Sequence, residues 1–159
     1  MGTPIRRTRK FNIDQSIPYL MSRVSGLLNQ RLSERLIGHG LSFQHWRVLA
    51  ALAAQNNPTI AQISSYAVVP HSTLSRLLDH MERENLVKRQ VSANDRRTAP
   101  LRITARGRAI LKAVIPEAVR VREEALSRLS RQEVVQLHAL LKTMHATLSG
   151  ISNLRKLPR

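Results

Sequence analysis

The chain contains no cysteine, which excludes disulfides, thiolate metal sites and thiol redox switches. Aromatic residues make up only 3% of it, too few for the base-stacking platforms of single-strand nucleic-acid binders. Acidic side chains are scarce as well. Ten Asp and Glu stand against 26 Lys and Arg, leaving a formal net charge of +16 on 159 residues. No apolar run approaches the roughly 20 residues of a membrane span, and no apolar signal core follows the basic residues 1–10. A cytoplasmic protein without a membrane partner is expected. There is also no nucleophile elbow, no phosphate-binding glycine loop and no cysteine nucleophile, so neither an enzyme nor a cofactor is expected.

What remains is a basic chain with enough apolar residues, 42%, to build a core. Such a charge excess calls for a polyanionic partner, and the shortage of aromatics favours double-stranded DNA. The charge is unevenly spread: residues 1–10 carry +4, 11–40 carry +1, 41–70 carry +1, 71–104 carry +3 and 105–159 carry +7. The last segment could also attract an anionic effector.

The order of elements is legible from caps and periodicity. Residues 1–13 read as a flexible basic arm. Ser16-Ile17-Pro18 opens a first helix with Ile17, Leu20, Met21, Val24, Leu28 and Leu32 at helical spacing, and Gly38-His39-Gly40 ends it. Ser42 caps a second helix, with Trp46, Leu49, Ala50 and Ala53 expected to be buried. Thr59 and Gln62 form a capping box for a short third helix. A fourth, Ser72 to Glu84, carries Leu74, Leu77, Leu78 and Met81 as one apolar stripe, and Asn85 can take the left-handed conformation that stops it.

Two short runs, Leu86–Val91 and Leu101–Thr104, flank a loop with adjacent arginines and predict a β-hairpin with a cationic tip. Thr104 can cap a long fifth helix with Leu111, Val114, Ala118, Val121 and Ala125 in a heptad-like seam interrupted by Pro116. Ser130 and Glu133 open a sixth with Val134, Leu137, Leu141, Met144 and Leu148. The fold class is therefore mainly α with a small β-hairpin wing: a winged helix-turn-helix head at 41–104, an N-terminal helix at 14–40, and C-terminal helices at 105–159 that need a second copy of the chain to cover them.

These residues resemble the MarR (multiple antibiotic resistance regulator) family of transcription factors, over roughly residues 41–111. The resemblance rests on Leu41-Ser42-Phe43-Gln44, on Arg47-Val48-Leu49, on Ser72 to Asp79, on Leu86-Val87, and on the wing pattern Asp-x-Arg-x5-Leu-Thr at Asp95, Arg97, Ile103 and Thr104. Ile103 stands where that pattern has Leu, and Asn85 where Gly is usual. The resemblance implies a homodimer on a pseudo-palindromic operator, usually a repressor, released by a small, often aromatic and anionic, molecule such as an aromatic carboxylate or its coenzyme A thioester.

The candidate DNA residues are His71, Ser72, Thr73, Ser75 and Arg76 at the start of the fourth helix, where short polar side chains and Arg can read base edges. Arg96 and Arg97 would serve the wing, with Arg97 in the minor groove and Arg96 on phosphate. Asp95 would be repelled by phosphate and is expected to brace the wing. Lys88, Arg89 and Arg102 read as the solvent face of the hairpin. A ligand pocket is expected from Tyr19, Arg23, Phe43, His45, Trp46 and Arg47, an aromatic wall with cationic partners. His138 and His145 lie too far apart for a ligand pair, and the sequence shows no metal cluster. The competing reading is a non-specific architectural DNA binder.

Overall fold

A computed structural model of the chain describes residues 12–55, 58–89 and 101–154. A single 3-10 turn, Ile13–Gln15, precedes helix α1 (Ile17–Ile37); α2 (Phe43–Ala54), α3 (Ile60–Ala67) and α4 (His71–Arg83) follow. Strands β1 (Val87–Arg89) and β2 (Leu101–Ile103) lead into α5 (Ala105–Leu126) and α6 (Arg131–Leu154). The expected mainly helical architecture with a two-stranded wing is observed. Residues 1–11 of the basic arm lie outside the described residues, as does the wing tip with Asp95, Arg96 and Arg97.

The caps form where the sequence places them. The Ser42 hydroxyl accepts from the His45 amide (3.2 Å). Thr59 and Gln62 bond reciprocally, at 3.2 and 2.8 Å. Ser130 does the same with Glu133, whose carboxyl is held below its ordinary pKa by the Ser130 hydroxyl and amide. Asn85 takes φ 57° and stops α4. Ser16 is the exception: it flanks α1 without a side-chain cap bond, and Pro18 in the first turn limits the amides left unpaired there.

The chain divides into two compact units, residues 1–121 and 122–159. In the first, Leu32 and Leu36 of α1, Val48, Leu49 and Leu52 of α2, Ile63 of α3, and Leu74, Leu78 and Met81 of α4 form one core. Leu86, Val87, Leu101, Leu111, Val114 and Val121 complete it. One expectation is corrected. The buried face of α2 is His45, Val48, Leu49 and Leu52, with Ala51 beside it; Trp46 and Ala50 are half-buried and Ala53 is exposed. The helical template is the same but starts one residue earlier, which buries Val48 and Leu52 in place of two alanines and so removes more apolar surface from water. The α5 seam contributes Leu111, Val114 and Val121 to this core and leaves Ala125 exposed.

Not all apolar faces are covered. Ile17, Leu20, Met21, Val24 and Leu27 of α1 are exposed in the single chain. So, in the second unit, are Val135, Leu137, Leu140, Leu141 and Leu148 of α6.

β1 and β2 are antiparallel with Val87 opposite Ile103, Lys88 opposite Arg102 and Arg89 opposite Leu101. Their base is tied to the helices on either side. The Leu86 amide donates to the Met81 carbonyl of α4 (2.8 Å), and the Thr104 amide donates to the Leu86 carbonyl (3.1 Å). The Thr104 hydroxyl donates towards the carbonyls of Asn85 (2.6 Å) and Leu86 (3.1 Å), and accepts from the Gly107 amide (3.0 Å) as the cap of α5. A Cβ at residue 107 would lie 2.1 Å from the Leu86 carbonyl oxygen, so only glycine lets α5 pass this close. Gly107→Ala should force backbone apart at this junction and destabilise the protein by about 1–3 kcal/mol or more, in line with other overpacking changes. A urea unfolding midpoint equal to that of the parent would contradict this.

Candidate nucleic-acid interface

The reading head is built around α4. Its apolar stripe is buried at Leu74, Leu78 and Met81 and half-buried at Leu77, which fixes the helix's rotation. That leaves His71, Ser72, Thr73 and Arg76 exposed on and beside the first turn, with no side chain capping the helix start at Pro70. Ser75 differs from the others: it is half-buried and its hydroxyl turns back to the His71 carbonyl at 3.4 Å. The turn before α4 is tight. Val68 adopts φ 51°, a left-handed conformation that costs a β-branched residue energy, and the Ser64 hydroxyl holds the Val69 carbonyl at 2.7 Å.

The hairpin is locked to α4 by a residue read from the sequence as a solvent-face cation. Arg89 of β1 is half-buried, its guanidinium 2.6 Å from Asp79 and 3.8 Å from Glu82, while its amide donates to Glu82 at 3.1 Å. This pairing does two things. It ties the hairpin to the helix, and it neutralises carboxylates on the helix that carries Arg76. Asp95 was the expected brace; it lies outside the described residues, and among those described Arg89 fills that role. The other two cations of the described strands face out: Lys88 and Arg102 are directly opposed across the strands and both exposed. Like charges so placed repel and weaken a strand pair, an arrangement suited to an anion lying against the sheet.

The six residues expected to line a ligand pocket do not assemble as one wall. Arg23 reaches the Tyr19 hydroxyl at 3.2 Å and lies over its ring, and the two border a shallow depression of about 430 Å³ on α1. Arg47 lies 5.6 Å from the centre of the Phe43 ring, and Trp46 packs half-buried against the core. His45 is 7% exposed and meets His80 of α4, ring centres 5.3 Å apart. Burial pushes the His45 pKa below the ordinary imidazole value; Glu84 works against that and His80 reinforces it. The sequence gives no sign that these three approach one another, because His45 stands 35 positions before His80.

A short helix, a tight turn, an amphipathic second helix and a two-stranded hairpin define a winged helix-turn-helix protein. The MarR family model matches residues 39–98. A MarR-family regulator from Silicibacter pomeroyi is 31% identical, with a TM-score of 0.77 over 89% of this chain and 96% of that one. The HTH-type transcriptional regulator PecS of Dickeya dadantii is 31% identical over 76% of this chain and 75% of that protein. A MarR-family protein of Mycobacterium tuberculosis, solved in complex with p-aminosalicylic acid, is 25% identical with a TM-score of 0.69 over 82% and 98%. The chain belongs to the MarR family; it is a transcriptional regulator and not an enzyme.

Because Asp79 and Arg89 are 58% and 31% exposed, their pairing is modest in free energy. A double-mutant cycle of Asp79→Ala and Arg89→Ala, read by urea unfolding, should give a coupling of about 0.2–1 kcal/mol. A coupling of zero would remove the pair as the link between hairpin and helix.

Proposed function

We propose that the protein is a repressor that binds a pseudo-palindromic operator as a homodimer and releases it on binding a small aromatic anion. The observation that carries this reading is the division of α4 into a buried stripe and an exposed polar first turn, together with the outward cations Lys88 and Arg102 on the hairpin. With α4 in the major groove, Arg76 is the residue suited to a guanine edge, and Ser72, Thr73 and His71 reach bases or phosphates. Ser75 sits lower on the face, so its part is smaller. Lys88 and Arg102 would meet phosphate, with Arg97 in the minor groove, Arg96 on the backbone and Asp95 steadying the tip.

Dimerisation is supported by the exposed apolar residues of α1 and α6, since monomers rarely leave such continuous faces in water. Residues 41–104 then serve as the reading head, 14–40 and 105–159 as the dimer region, and the arm at 1–13 adds bulk attraction to DNA. The effector reading draws on the p-aminosalicylic acid complex of the Mycobacterium tuberculosis relative. It draws also on the two aromatic–guanidinium pairs, Tyr19–Arg23 and Phe43–Arg47, which offer a ring face and a cation to an aromatic carboxylate.

An operator obtained by in vitro selection from random duplex provides the test. Specific binding should exceed random-duplex binding by about 10³-fold or more, and Arg76→Ala should cost about 1–3 kcal/mol of operator affinity with the dimer intact. Equal affinity for selected and random DNA, unmoved by Arg76→Ala, would favour an architectural binder instead.

A further inference from the structure

Where α2 packs against α4, three potential ligand side chains converge. One ring nitrogen each of His45 and His80 and a carboxylate oxygen of Glu84 all lie within 4.8 Å of one another. His80 and Glu84 are one helical turn apart on α4, with His80 Nε2 3.5 Å from Glu84 Oε1. That separation is close to the edge of a tetrahedron with metal–ligand bonds of about 2.0–2.1 Å, roughly 3.3–3.4 Å. His45 supplies the second observation. Both its ring nitrogens are shut off from solvent and have no hydrogen-bond partner among the described residues. A buried imidazole left in this state is costly, and the tilted ring contact with His80, 37° between planes, fills space without satisfying either nitrogen.

We propose that His45, His80 and Glu84 form a binding site for a divalent transition-metal ion of the zinc class. Two imidazoles and a carboxylate are a zinc donor set, whereas magnesium and calcium require oxygen ligands throughout. The His80 and Glu84 side chains are 50% and 38% exposed, which gives the ion a way in and leaves a fourth position to water. Glu84 is the C-cap of α4, so an ion held there joins the end of that helix to α2 beneath it. The site stands on this geometry alone and is independent of the operator reading.

Chelator-treated full-length protein, titrated with zinc sulfate in a calorimeter, should take up one ion per chain, and zinc should raise its melting temperature. Cobalt in place of zinc should show the visible bands of a four-coordinate ion. H80Q and E84Q change surface side chains; each removes a ligand outright and should weaken zinc binding at least by the roughly 10–100-fold that loss of an outer-shell partner costs. His45→Phe, checked for native circular dichroism, should abolish uptake. Absence of stoichiometric uptake would overturn the proposal, and so would uptake unchanged in both H80Q and E84Q, which would place the ion on other histidines.

Discussion

The Leu86 carbonyl is where α4, the hairpin and α5 are joined. It accepts the Thr104 amide, lies within reach of the Thr104 hydroxyl, and leaves space for α5 only because residue 107 has no side chain. One residue earlier, Asn85 turns the chain out of α4 with a positive φ and offers its own carbonyl to the same hydroxyl. Buried backbone groups must find partners, and here Thr104 supplies an acceptor and two donors across 19 residues of sequence. The orientation of the wing relative to α4, and of both relative to α5, follows from this one junction.

Above the junction the electrostatics are local rather than general. Residues 71–104 carry only +3 of the +16, and part of the positive charge there is consumed within the head by Arg89 pairing with Asp79 and Glu82. Among the described residues, the cations that remain outward there are Arg76 and Arg83 on α4 and the opposed Lys88 and Arg102 on the hairpin. Such a surface suits docking in register, while long-range attraction comes from charge held elsewhere on the chain.

Much of this was legible in the sequence because it is written locally. The caps at Ser42, Thr59 and Ser130, the turn at Asn85 and the stripe of α4 involve residues at most a few positions apart, and each formed as expected. The phase of α2 was not legible, because apolar residues occupy two adjacent helical phases. Arg89 looked solvated because its partners lie on the preceding helix, and the meeting of His45 with His80 and Glu84 depends on how two helices cross. Tertiary proximity of that kind leaves no periodic trace. Of the expected pocket residues, Tyr19 with Arg23 and Phe43 with Arg47 meet one helical turn apart on their own helices.

The central claim is that the Thr104 hydroxyl fastens the wing to both neighbouring helices, and substitution at that position addresses it directly. Thr104→Val keeps the shape and removes the hydroxyl; Thr104→Ser keeps the hydroxyl and removes a methyl. In urea unfolding, Thr104→Val should lose about 0.5–2 kcal/mol, because the Gly107 amide loses its cap acceptor and the hydroxyl's bond to the Asn85 carbonyl goes with it, while Thr104→Ser should stay much closer to the parent. Equal stability of Thr104→Val and the parent, or a greater loss in Thr104→Ser, would contradict the account.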